Sequence, residues 1–173
     1  ARRGRSAVPA VSDDVAVRAA EPGQLIGSFF CPGRPRTKGS MTPQLSRGKG
    51  GRLVVHLVES GEHSVSWKKA MIAAMWKQCG IAPIKQGRKV IGFNPPPFPN
   101  AVTVECVFRF EREIGVDGTV WESHSTPYPT AIDIGDWDKL LRNLLDALTQ
   151  GGMIADDRLV IGSPGTWKRW CRD

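Results

Sequence analysis

Residues 135–161 read GDWDKLLRNLLDALTQGGMIADDRLVI, and the spacing inside this stretch decides the fold. Leu140, Leu141, Leu144, Leu145 and Leu148 recur at three- and four-residue intervals, which places them on one stripe of an α-helix. Asp136 stands where an N-cap belongs, and Gly151-Gly152 supply the stop. At about 100° per residue the stripe is centred away from Lys139 and Asn143, while Asp138 and Arg142 lie one turn apart along its edge, flanking the core rather than facing open water. Beyond the glycines, Met153-Ile154-Ala155 lead to Asp156-Asp157, and Leu159-Val160-Ile161 has the composition of a strand that returns beside the helix start.

Each aspartate has a plain structural reading. Asp136 suits an N-cap, acidic residues are favoured in a first turn by the helix dipole, and Asp156-Asp157 suits a turn. Taken together, one short helix and a glycine turn are able to fold the second pair back toward the first, and no comparable group of cations offers to neutralise them. A hard, oxygen-seeking cation would do so, and Mg²⁺ is held by a few carboxylates completed by water and substrate phosphate.

Charge supports a polyanionic partner. The formal net charge is +7, from 24 Lys and Arg against 17 Asp and Glu. Its excess lies in residues 1–52, where Arg2, Arg3, Arg5, Arg18, Arg34, Arg36, Lys38, Arg47, Lys49 and Arg52 face only Asp13, Asp14 and Glu21; the remainder is balanced. A basic region and a carboxylate cluster in different parts of one chain fit a protein that places metal ions between its own carboxylates and a nucleic-acid backbone.

Working outward, residues 1–23 are rich in Arg, Ala, Pro and Gly without periodicity and read as a loosely docked basic arm, with one domain over residues 24–173. Leu25–Cys31 reads as a first strand, followed by the basic Pro/Gly loop from Pro32 to Gly39. Leu53–Val58 reads as a second strand, preceded by a turn at Gly48–Gly51. Ser66 is placed to cap a helix whose stripe is Trp67, Ala70, Met71, Ala74 and Met75, with Lys68, Lys69 and Lys77 mainly outward and Gly80 as the stop. Gly92–Asn100 reads as a linker. Val102, Val104, Cys106, Phe108 and Phe110 alternate with Thr103, Glu105, Val107 and Arg109, the clearest strand signal in the chain. Residues 111–134 read as a long loop. The fold class expected is α/β (α+β): a single domain with a small mixed sheet packed against helices.

Other chemistries find no support. Lys38-Gly39-Ser40 does not complete a G-x-x-x-x-G-K-[ST] phosphate loop, and no G-x-S-x-G marks a hydrolase nucleophile. Cys31, Cys79, Cys106 and Cys171 lack zinc spacing and read as reduced, mostly buried thiols, while His56, His63 and His124 are isolated. No apolar run approaches a membrane span, the start lacks the core of a secretory signal, and the missing initiator Met reads as a trimmed or partial chain, which leaves the cytoplasm as the expected compartment.

The run from Gly135 to Thr149, followed by Ile154-Ala155-Asp156-Asp157-Arg158-Leu159-Val160, closely resembles the signature of the RusA family of Holliday junction resolvases: D-x-D-N/K-L-x-K/R with D-A-L downstream, then D-D and a hydrophobic strand. About thirty residues carry the resemblance strongly, and the strand with Glu105-Cys106 and the early basic loop carry it weakly. By that resemblance Asp136 and Asp138 are the paired metal-binding aspartates, Asp157 the catalytic aspartate of the second pair, and Asp156 its acidic neighbour. The family's catalytic lysine is Arg142 here, Lys139 replaces a frequent Asn, and Gly135 replaces a common Pro. Arginine keeps the charge but does not give up its proton near neutral pH. Lys168 is a candidate substitute cation without motif support.

The resemblance implies a RusA-like fold and a homodimer of a bacterial or phage-infected cell that binds four-way DNA junctions. It would nick two opposed strands with Mg²⁺, or Mn²⁺ in its place, leaving 5′-phosphate and 3′-hydroxyl ends. Junction twofold symmetry matches a C₂ dimer with one site for each strand of a pair. The expected DNA contacts are Arg34, Arg36 and Lys38, aided by Lys68, Lys69 and Lys139, and Trp137 is weighed as a packing residue first and a base-stacking wedge second. A flap or other branched-DNA nuclease and a non-catalytic junction-binding protein are the competing expectations.

Overall fold

The computed structural model describes residues 23–38, 41–47, 53–59, 62–120, 122, 125–130 and 134–171. The basic arm up to residue 22, the Gly48–Gly51 turn and His124 lie outside the described residues. Strand β1 (Met41–Arg47) pairs antiparallel with β2 (Leu53–Glu59) in continuous register from Met41↔Glu59 to Arg47↔Leu53, so the expected second strand is present and gains a partner that the sequence reading did not anticipate.

Helix α1 (Glu62–Cys79) starts four residues ahead of the expected Ser66 cap. Ser66 lies inside it and its hydroxyl donates back to the His63 carbonyl at 3.0 Å. Ser64, Trp67, Met71 and Met75 form the buried face, whereas Ala70, expected on that face, is exposed. Lys69 and Lys77 point outward as expected; Lys68 does not, and is drawn inward toward Asp146. Gly80, at φ +68°, ends the helix.

A hairpin follows: β3 (Ala82–Gln86) and β4 (Lys89–Asn94), turning at Gly87 with φ +61°. Gly92 is therefore within a strand rather than a linker. Phe98 then bridges Ile154, β5 (Val102–Thr103) pairs with β7 (Val160–Gly162), and β6 (Val107–Phe110) pairs with β8 (Trp167–Trp170), all parallel. The stretches 98–110 and 154–170 thus run side by side in the same direction as an interrupted ribbon. A parallel pair needs a crossover, which helix α2 (Trp137–Gln150) provides. The expected alternation holds: Val102, Phe108 and Phe110 are buried while Thr103, Glu105, Val107 and Arg109 are exposed. The architecture is mixed α and β, with small sheets and two helices.

The core joins Met71 and Met75 of α1, Leu140, Leu144, Ala147 and Leu148 of α2, and Phe98, Phe108, Phe110, Ile154 and Trp170 of the ribbon. Burying each large apolar side chain contributes roughly 1.5–3 kcal/mol. Asn143, expected away from the stripe, is fully buried. The cause is the extended segment 34–38, which lies along α2: the Asn143 amide donates to the Arg36 carbonyl at 2.9 Å, and the Lys38 amide donates to the Lys139 carbonyl at 3.2 Å. Leu25–Cys31, expected as a strand, has no strand partner among the described residues. Its backbone is instead bonded by a side chain, with Gln78 Nε2 donating to Phe30 O at 2.7 Å and Gln78 Oε1 accepting from Phe30 N at 2.8 Å. Among the described residues no helix is long and apolar enough to cross a membrane.

Candidate active site

Helix α2 begins at Asp136, whose backbone has the extended conformation of an N-cap (φ −75°, ψ 141°). An N-cap aspartate ordinarily accepts a bond from a first-turn amide. Asp136 makes no such bond. Its carboxylate meets Lys139 Nζ at 2.8 Å, and Asp138 meets Arg142 at 3.3 Å. The Lys139 hydrogen bond and charge, with a further contribution from Lys168, hold Asp136 below the usual carboxylate range. Both pairs are largely exposed, and such pairs add little to stability.

Two expectations change here. Asp138 and Arg142 are exposed rather than flanking the core, because none of the described residues covers that side of α2. The carboxylates also do have neutralising cations, supplied one helical turn away on the same element, where a count of charges along the chain does not reveal them.

The start of α2 is tied to β8. Lys168 Nζ donates to the Gly135 carbonyl at 3.0 Å, and Trp137 Nε1 points at the Thr166 carbonyl at 3.4 Å. Gly135 has φ +80°, and a Cβ there would run into the Thr37 side chain, so only glycine lets segment 34–38 approach so closely. Trp137 packs with its indole nitrogen toward the Thr166 carbonyl and remains 41% exposed.

The second pair is built differently. Asp156 caps the single 3₁₀ turn Asp157–Leu159: Oδ1 accepts from Arg158 N and Nε, both at 2.9 Å, and Oδ2 accepts from the guanidinium at 3.0 Å. This fork holds the Asp156 carboxyl down at about 2. Asp157 is exposed, and the turn lies against α2. Among the described residues no three His, Cys, Asp or Glu side chains stand close enough to share one metal ion, so the expected convergence of three or four carboxylates is not formed within this single chain. The level of the elements accounts for that. Gly135 and Trp137 meet the ribbon at Lys168 and Thr166, whereas Asp156-Asp157 sit well before them on the same stretch. Asp136 and Asp138 remain a pair of hard oxygen donors suited to Mg²⁺, which one or two carboxylates hold when waters and phosphate complete the shell.

The expected DNA-binding cations divide. Arg34 pairs with Glu113 at 2.9 Å, Lys38 with Asp146 at 2.6 Å, and Lys68 reaches Asp146 at 4.0 Å. Lys38 and Lys68 are mostly covered, so they serve first as internal ties; Lys69 is exposed, Arg36 is partly covered, and Lys139 engages Asp136. Asp146 and Asn143 are structural ties that the apolar stripe concealed. The usable signal was the polar spacing Lys139, Asn143, Asp146 on one side of α2, which marks a second covered face.

All four cysteines are free and partly exposed rather than mostly buried, and burial pushes the Cys106 thiol up to about 12. A cleft of about 1590 Å³ opens between residues 23–35 and the stretch 100–109, floored by Trp67, Met71, Leu144 and Leu148. None of the four aspartates lines it. Comparison with protein-family models, curated proteins and solved structures finds no match for this chain.

Proposed function

We propose that the protein is a Mg²⁺-dependent endodeoxyribonuclease of RusA-like fold that acts on branched DNA, with the four-way junction as its substrate and a homodimer as its working form. The observation that carries this reading is the Asp136 carboxylate: it occupies a capping position, makes no cap, and stands exposed with Asp138 beside Lys139, Arg142 and Lys168. Its oxygens are directed to Lys139 and to solvent rather than to the first-turn amides. The motif around it, D-W-D-K-L-L-R with D-D downstream, supplies the substrate class.

In this reading Asp136 and Asp138 hold the cation, which when bound supplies an acidified water and a positive counterpart to the phosphate. Mn²⁺ serves in place of Mg²⁺. Asp157 stands exposed on its own turn, apart from that pair, and Asp156 holds the turn through Arg158. Arg142 keeps a positive charge beside Asp138 and does not donate a proton. Lys69, Arg36 and Lys139 add backbone contacts, so binding falls as salt rises.

A second reading, a junction-binding protein without catalysis, is favoured by one observation: Asp136, Asp138 and Asp156 are each already engaged by a cation of their own segment. Incubating four-way, flap and linear duplex DNA with Mg²⁺ separates the readings: paired symmetric nicks support the resolvase, asymmetric nicks a flap nuclease, and retardation without cutting the binding protein. Asp138→Asn is expected to abolish cleavage while junction affinity is unchanged or higher, because a carboxylate opposed to phosphate is removed. As Asp138 lies in an exposed pair, the melting midpoint should stay within about 2 °C of the parent. Full cleavage by Asp138→Asn refutes the assignment.

A further inference from the structure

Among the described residues three cations flank the Asp136–Asp138 pair, and they are held very differently. Lys139 and Arg142 belong to the same helix as the aspartates, and each is engaged with one of them on an open surface. Arg142 is 60% exposed at the end of a flexible side chain, a poorly fixed position for a group meant to meet a developing charge. Lys168 comes from another element. It sits on β8, in register with Phe108 of β6, so its backbone is fixed by the parallel ribbon. Its stem is partly covered, its ammonium donates to the Gly135 carbonyl at 3.0 Å, and its charge is felt by Asp136. Gly135 is itself pinned by its left-handed backbone and by contact with Thr37. An ammonium has three hydrogens, and the carbonyl uses one.

We infer that Lys168, rather than Arg142, is the fixed cation that meets the phosphodiester addressed by Asp136 and Asp138. The inference rests on the endonuclease reading for the chemistry and on geometry for the contact. A donor held in place before the phosphate arrives needs no reorganisation as charge develops, and removal of one such donor lowers turnover about 10²- to 10³-fold. The same contact releases counterions, so its loss lowers the slope of log affinity against log salt by about 0.9. A tie that merely braced β8 against α2 would not change that slope.

The test uses the whole chain with Lys168→Met, which keeps the stem, Lys168→Arg, which keeps the charge, and Arg142→Met. Four-way junction binding is measured across salt with Ca²⁺ in place of Mg²⁺, and single-turnover cleavage is measured with Mg²⁺. Lys168→Met is expected to lose about one unit of salt slope and at least about 100-fold in rate, Lys168→Arg to recover at least tenfold over it, and Arg142→Met to lose less rate than Lys168→Met. An unchanged slope for a folded Lys168→Met overturns the inference, as does a lowered slope with parental cleavage, or a larger rate loss in Arg142→Met. If the parent cuts none of the DNA substrates, the endonuclease reading fails by itself, and the salt slope still decides whether Lys168 touches phosphate. Should Lys168→Met fail to fold, the same slope is read on Lys168→Gln.

Discussion

Asp156 and Asp157 are chain neighbours with different surroundings. Asp156 places both carboxylate oxygens on Arg158, and its folded-state value of about 2 lies below the ordinary carboxylate value. A depressed folded value means that the contribution of this group to stability is present above the ordinary value of about 4 and is lost as pH falls through about 2. The side-chain carboxyl resonance of Asp156 should therefore titrate near 2, and Arg158→Ala should move its midpoint up toward the ordinary value. A midpoint near 4 in the parent would show that the fork is not formed in solution. Which aspartates matter was legible in the pattern D-x-D and D-D. Their bonding was not, because whether a carboxylate caps, forks or stays open depends on rotamers and on cations that only the folded helix brings within reach.

Helix α2 is covered on two faces, and only one could be read from the leucine spacing. The other is polar, with Asn143 bonded to Arg36 O, and its partner segment lies about a hundred residues earlier in the sequence. The strand from Val102 to Phe110 was legible because alternation is local. The extended run from Leu25 to Cys31 was misread because its composition matches a strand, while its bonds come from the amide of Gln78. At the other end of α2, Gly152 has φ +77°, and a Cβ there would enter the ring of Phe93. Gly152→Ala combines backbone strain with overpacking and should destabilise the fold by at least about 2 kcal/mol. Denaturant titration measures this, and a loss under about 0.5 kcal/mol would show that the turn rearranges freely.

Across the whole molecule, Asp146 is where three parts of the chain meet: its own helix, Lys38 of the extended segment and Lys68 of α1. Removing it takes the carboxylate from the mostly covered Lys38 and from the edge of Lys68. Asp146→Ala should cost about 2 kcal/mol and speed hydrogen exchange at the Lys38 amide, which is bonded to Lys139 O. Parental exchange at Lys38 would show that backbone bonds alone hold the segment. The charge map therefore has a double meaning: some of the cations read as a DNA surface hold the fold together, while others such as Lys69 are exposed to solvent. The parallel alignment of 98–110 with 154–170 also sets an order of events. No tight turn can bring two stretches heading the same way together, so each must wait for the intervening helix to span the gap. During synthesis, Lys168 reaches the Gly135 carbonyl only once this late zipper has closed, and a half-made chain has its aspartates before it has the cation that joins them.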